Sequence, residues 1–168
     1  MVKGAWLLAA CLVAVTPIAG IAATATVQIV DYGTFAFDSP FAKGPTIAAG
    51  QTPKNEQEAT FQRSDRVPLQ LGIRFGVFII VTTPGTAAGQ SLALRKITRF
   101  PAPGLKNPET GKTVLSEATA VTVRLGEQQG PFGYVLDHDW ELVPGTWKIE
   151  FWYGDEKLAE QAFIATKP

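Results

Sequence analysis

An unbroken alternation of apolar residues is the feature that most constrains this fold. Between positions 69 and 81, every odd position is Leu, Ile, Phe or Val, whereas the even positions start with Gln70, Gly72 and Arg74. Successive side chains of a strand point to opposite faces, so the pattern predicts a long strand over 69–81 with one face in the core. A helix would spread these apolar residues around its whole circumference. Gly72 and Gly76 predict a bulge or a close approach of another backbone.

Similar apolar runs recur along the chain and are separated by Gly- and Pro-rich turns. With 69–81 they make about seven strands, the others being 27–32, 92–100, 119–125, 132–136, 147–153 and 157–165. Short strands with regular turn signals predict an all-β, antiparallel sandwich. The stretch 38–66 lacks periodicity, so we expect a long loop there, with room for a helical turn at 54–66.

The N-terminus has the anatomy of a secretory signal peptide. Lys3 supplies a positive charge, residues 5–15 form an apolar run, and small residues surround Ala23 and Ala25. We expect this helical signal to be cleaved after Ala25, or alternatively after Ala23. Residues 1–25 are then the signal peptide and 26–168 a single domain, which would reside in the periplasm or be secreted.

Two other interpretations of the N-terminus are weaker. A membrane anchor needs about 20 uninterrupted apolar residues, and Pro17 ends the run earlier, so we expect no stable membrane span after cleavage. Lipidation at Cys11 would leave only residues 5–8 as the apolar region, which is shorter than a signal requires. Apolar sequence also continues past Cys11, where a mature lipoprotein would turn polar.

Composition excludes several classes of function. The full chain has 15 basic and 15 acidic side chains, so loss of Lys3 leaves a net charge near −1. This balance excludes the strongly basic surface of a nucleic-acid-binding protein. Cleavage also removes Cys11, the only cysteine, and His138 is the only histidine. Without a nucleophile and base pair we predict no enzyme activity and no cofactor, which leaves a hydrolase built on Asp/Glu pairs as a remote alternative.

The only histidine lies in an acidic segment, Asp137-His138-Asp139-Trp140-Glu141. Its acids could be metal ligands, but zinc sites need more His or Cys ligands, and the spacing departs from known calcium loops. Because Asp is common in turns, we interpret the segment as a turn and predict no metal site.

A second charged group consists of Arg95, Lys96 and Arg99 on one predicted strand. Charged side chains on an edge strand prevent unwanted pairing between sheets. We therefore predict that these three residues mark a charged edge strand.

Aromatic side chains provide the candidates for a binding site. The last quarter of the chain holds Trp140, Trp147, Trp152 and Tyr153. Alternation over 147–153 places Trp147 on the apolar face and Trp152 on the polar face. We therefore take Trp140, Trp152 and Tyr153 as candidate contacts for a ligand or partner.

Several stretches together resemble domain-of-unknown-function family 3859, a bacterial family. They are IVDYG at 29–33, VPLQLGIRFGV at 67–77, FPAPGLKNPETGK at 100–112 and GYVLDHDWELVPGTWKIEFWYGDEKLAEQAF at 133–163. The resemblance implies an Ig-like β-sandwich and supplies no catalytic residues. We therefore expect a non-catalytic, exported module of the cell envelope that binds a protein or surface partner. The alternative is a domain that binds small molecules or glycans through exposed aromatic side chains.

Processing of the N-terminus provides the first test. Mass spectrometry of the protein recovered from the periplasm or medium should find a mature chain that starts near Thr24 or Thr26, because the signal ends at small residues. A stable cellular form that keeps Met1, or one that carries an acyl chain on Cys11, would contradict this prediction.

Overall fold

The computed structural model describes residues 25–37 and 59–167. Residues 1–24 of the predicted signal peptide and most of the predicted loop at 38–66 lie outside the described residues, whereas Ala25, the last residue of the predicted signal, is described and is buried. The strands are β1 (Thr26–Phe37), β2 (Ala59–Arg63), β3 (Arg66–Pro68), β4 (Arg74–Thr82), β5 (Ser91–Arg99), β6 (Leu105–Lys106), β7 (Thr113–Val114), β8 (Ser116–Arg124), β9 (Gln128–Val135), β10 (Gly145–Tyr153) and β11 (Glu156–Thr166). A short 3-10 helix covers Asp139–Glu141.

These strands form two main sheets that pack face to face. One sheet has the order β2-β1-β4-β9 and the other the order β3-β11-β10-β5-β8, while β6 and β7 form a separate short pair. All pairs are antiparallel except β3 with β11, which is parallel. The all-β fold is confirmed, and the antiparallel prediction is wrong for this one pair. No helix among the described residues is long and apolar enough to cross a bilayer.

The core lies between β4 of the four-stranded sheet and β10 of the five-stranded sheet. Both strands contribute side chains that are completely buried. The largest is Trp147, whose ring centre lies 5.7 Å from that of Phe75, 5.2 Å from that of Tyr134 and 5.2 Å from that of Phe100. Because Phe75 and Tyr134 belong to the opposite sheet, these edge-on and tilted aromatic contacts join the two layers.

The predicted strand over 69–81 is shorter in the structure, where β4 begins at Arg74. Gly72 interrupts it with a turn, because its φ of 82° suits glycine and its N–H donates to the carbonyl of Leu136. Leu71, expected in the core, is 52% exposed in this turn. The close backbone approach expected at Gly76 is confirmed, since a Cβ there would lie 2.7 Å from the Cα of Gly133.

The charged stretch before β3 also differs from its prediction. Residues 59–63 form β2, which pairs with the end of β1, so the expected helical turn is wrong for the described part. Phe61 stacks on Phe35 with ring centres 5.3 Å apart and touches Phe78 at 4.7 Å. Such cross-strand aromatic pairs stabilise a strand in spite of the polar residues around it.

Candidate functional site

The outer face of the five-stranded sheet carries a buried carboxylate. Glu150 lies on β10, and only 4% of its side chain is exposed. Its Oε1 accepts a 2.7 Å hydrogen bond from Nε of Arg99, and its Oε2 accepts a 2.9 Å bond from the indole N–H of Trp152. A buried charge is costly unless it is paired, and here both carboxylate oxygens have a donor.

Trp152 covers this carboxylate and is itself held from two sides. Its indole N–H is fixed by Glu150, while the guanidinium of Arg95 lies 5.7 Å from the ring centre. Arg95 in turn donates to the carbonyl of Gly154 in the turn between β10 and β11, at 3.2 Å. The neighbouring Tyr153 is 44% exposed. Arg95 and Trp152 therefore form one surface, which we call the Trp152 face, whereas alternation along β10 directs Tyr153 to the other side of the strand.

A second ion cluster borders this surface. Glu160 on β11 accepts 2.6 Å hydrogen bonds from the ammonium groups of Lys148 and Lys157. The hydrogen bond from Lys148, followed by that from Lys157, holds the pKa of Glu160 below its usual range. Lys157 also lies 3.9 Å from Glu150, so the two carboxylates share one cation.

The structure separates the three basic residues that sequence reasoning grouped on β5. This strand lies between β10 and β8, so the charged-edge prediction is wrong. Arg95 and Arg99 point to the outer face, whereas Lys96 is 8% exposed and points inward, where its Nζ donates to the carbonyl of Gly133 at 2.8 Å. Burial lowers the pKa of Lys96, although Glu117 opposes that shift.

The candidate aromatic residues do not assemble into one platform. Trp152 and Tyr153 lie at the end of β10, but Trp140 belongs to the 3-10 helix that precedes this strand. Nine residues of extended chain span about 26 Å, so Trp140 lies toward the opposite end of the sandwich. There its ring stacks on His138, with centres 5.3 Å apart and planes inclined by 11°.

The acidic segment around His138 is organised by one carboxylate. Glu141 is 5% exposed and accepts hydrogen bonds from the N–H groups of Asp137 and His138 and from the hydroxyl of Tyr134. Burial and this bond to Glu141 raise the pKa of Tyr134, so its hydroxyl stays protonated. Glu141 therefore fixes the turn. Within the described part of the chain, no three His, Cys, Asp or Glu side chains converge as metal ligands.

Sequence reasoning did not select Glu150, and it assigned its partner Arg99 to a charged edge instead of an ion pair. Both lie on polar positions of their alternating strands, which is the signal that marks them as outward-facing. Their pairing depends on the register of β5 against β10, in which Glu150 is opposite Ile97 and Lys148 is opposite Arg99. Nothing in the local sequence specifies this register.

The two facing sheets define an immunoglobulin-like β-sandwich. A family model described as Domain of unknown function (DUF3859) matches residues 23–164, so the chain belongs to this family. Among solved structures, the chain is similar to the crystal structure of an immunoglobulin-like protein from Pseudomonas aeruginosa, with a TM-score of 0.59 and 22% sequence identity. The match covers 88% of this chain and all of that one, and it shows the fold. No curated protein matches the sequence.

The two tryptophans of β10 should respond differently to truncation. Trp147→Ala should lower the free energy of unfolding by about 3–5 kcal/mol, because it opens a cavity in the core. Trp152→Ala should cost about 1.5–3 kcal/mol, because Glu150 loses one charge-assisted donor. Chemical denaturation monitored by circular dichroism measures both values. Equal and large losses would show that Trp152 is part of the core and would remove it as a contact residue.

Proposed function

We propose that this protein is an exported, non-catalytic Ig-like module of the bacterial cell envelope that binds a protein partner through the Trp152 face. The observation that carries the proposal is the position of Trp152, whose indole N–H donates to Glu150 and whose ring lies against the guanidinium of Arg95. Export is supported by the N-terminal sequence, in which a positive residue, an apolar run and small residues follow one another.

The residue types of this face suit a protein interface. Trp, Tyr and Arg are the side chains that contribute most to binding energy in such interfaces. Two of these types occur here side by side, in Arg95 and Trp152. Because Arg95 and Trp152 are already held by Gly154 and Glu150, they lose little conformational entropy on binding.

The same geometry argues against a glycan platform at this position. A sugar would stack on an open aromatic face, whereas the guanidinium of Arg95 already lies over the ring of Trp152. A protein partner can instead contact the exposed part of Trp152 around this cation. The protein-binding proposal therefore fits the contacts better than the glycan alternative.

The proposal of a non-catalytic function is supported by the contacts of Glu150 and Glu160, the two carboxylates nearest this face. Acid catalysis by a carboxylic acid needs a raised pKa, as in glycoside hydrolysis. The pKa of Glu160 is lowered by Lys148 and Lys157, and Glu150 bonds Arg99 and Trp152. These contacts favour structural ion pairs over a general acid.

A comparison of two tryptophan variants tests the binding surface. The immobilised protein should capture an envelope protein from extracts of the bacterium that encodes it. Trp152→Ala should abolish that capture while keeping its circular dichroism spectrum, because it removes the centre of the Trp152 face. Quantitative mass spectrometry of the retained proteins provides the measurement.

Trp140→Ala is the matched control, because it truncates a half-buried indole toward the opposite end of the sandwich. It should retain the same partner as the wild type. Loss of capture with Trp140→Ala and not with Trp152→Ala would place the binding surface elsewhere. Equal recovery from wild type and Trp152→Ala would contradict the proposal.

A further inference from the structure

The outermost strands of the two sheets are protected to different degrees. Within the described part of the chain, β2 has five residues, β3 has three and ends in Pro68, and β9 contains Pro131 and a register shift against β4. Short length, proline and bulges each prevent pairing with another sheet. In contrast, β8 has nine residues without Pro or Lys and pairs with β5 over its whole length without a register shift. The edge of β8 that faces away from β5 is therefore not protected by short length, by proline or by a bulge.

The hydrogen bonds at both ends of β8 show which of its backbone groups face outward. The N–H of Leu125 donates to the carbonyl of Gln90, and the N–H of Phe100 donates to the carbonyl of Leu115. In an antiparallel pair, hydrogen-bonded positions alternate along each strand. The odd residues of β8 therefore bond to β5, and the even residues direct their N–H and C=O groups to the outer edge.

At the C-terminal end of this edge, the side chain of Gln129 pairs with the backbone of Arg124. The amide of Gln129 donates to the carbonyl of Arg124 at 2.7 Å and accepts from its N–H at 2.9 Å. The backbone groups of Arg124 are thus satisfied. In the described structure, the outward-facing groups of Ser116, Ala118, Ala120 and Thr122 have only β5 beside them and no strand on their own side.

We propose that this edge of β8 pairs with β8 of a second copy of the protein. An antiparallel arrangement with a two-fold axis at Thr119 places Ser116 opposite Thr122 and Ala118 opposite Ala120. All the outward-facing backbone groups then find partners, because each of these pairs exchanges two hydrogen bonds. The arrangement is self-complementary, as a two-fold interface requires.

The side chains of β8 are compatible with this pairing. Those of Ala118 and Ala120 are small and exposed on the outer face, so the two copies can approach without displacing bulky groups. On the inner face, Thr119 meets Thr119 of the second copy, and Thr–Thr pairs across strands are favourable. The pairing joins the two five-stranded sheets edge to edge, so the Trp152 face remains open.

The mass of the protein in solution tests this interface. Sedimentation equilibrium should find a dimer that becomes a monomer in Ala120→Pro, because proline removes an outward N–H and leaves the bonds to β5 intact. Ala120→Ser keeps that N–H and should remain dimeric. A wild-type monomer at the highest soluble concentration, or a folded Ala120→Pro that still dimerises, would overturn the proposal.

A second variant covers the case in which Ala120→Pro does not fold. The double substitution Ala118→Lys and Ala120→Lys keeps every backbone donor and places like charges opposite each other across the two-fold axis, which is unfavourable. It should be a folded monomer. Dimerisation of this folded variant to the wild-type extent would also overturn the proposal.

Cysteine cross-linking tests the register. In a Cys11→Ser background, Thr119→Cys should form a disulfide-linked dimer on mild oxidation, because directly opposite residues at such a position have Cα atoms about 4.5 Å apart. Glu117→Cys is the matched control, since it lies opposite Val121 of the second copy and should cross-link far less. Equal cross-linking at both positions would contradict the two-fold axis at Thr119.

Discussion

The packing of Trp147 between the sheets is the contact on which the rest of this structure depends. Its ring is completely buried and touches Phe75 and Tyr134 of the opposite sheet, and its indole N–H donates to the carbonyl of Val143 at 3.1 Å. The polar atom is thus satisfied within the loop before β10, while the apolar surface is removed from water. Burial of apolar surface is the dominant favourable contribution to folding. In a domain without a disulfide, this core must hold the two layers together.

The strict alternation of β10 connects the core with the candidate site. Trp147 and Ile149 face inward, and the residues between and after them, Lys148, Glu150 and Trp152, face outward. The rigid core strand therefore positions the buried carboxylate and the indole that covers it. Placement on a core strand fixes the positions of these contact residues, because side chains on regular strands are held more precisely than those on loops. The acidic segment at Glu141 stabilises a turn at the other end of the same strand.

The sequence predicted the fold class and most strands, because alternation is a local property that burial of one face imposes. The predictions from sequence were wrong where contacts between distant parts of the chain determine the structure. Leu71 fits the alternation but lies in a turn fixed by the φ of Gly72 and its bond to Leu136. The basic group on β5 was predicted to mark an edge strand, but β5 lies between β10 and β8. The order of strands in a sheet depends on pairing between distant residues, which local sequence patterns do not show. Trp152 was correctly assigned to the polar face, but its bond to Glu150 depends on packing that local patterns do not encode.

The account therefore depends on the contact between the sheets at Trp147. Nuclear Overhauser spectroscopy of the folded protein with selectively labelled aromatic rings measures it directly. The structure predicts cross-peaks from the Trp147 indole to the rings of Phe75 and Tyr134, which belong to the four-stranded sheet. Cross-peaks from Trp147 to residues of its own sheet alone would contradict the sandwich and, with it, the placement of the Trp152 face.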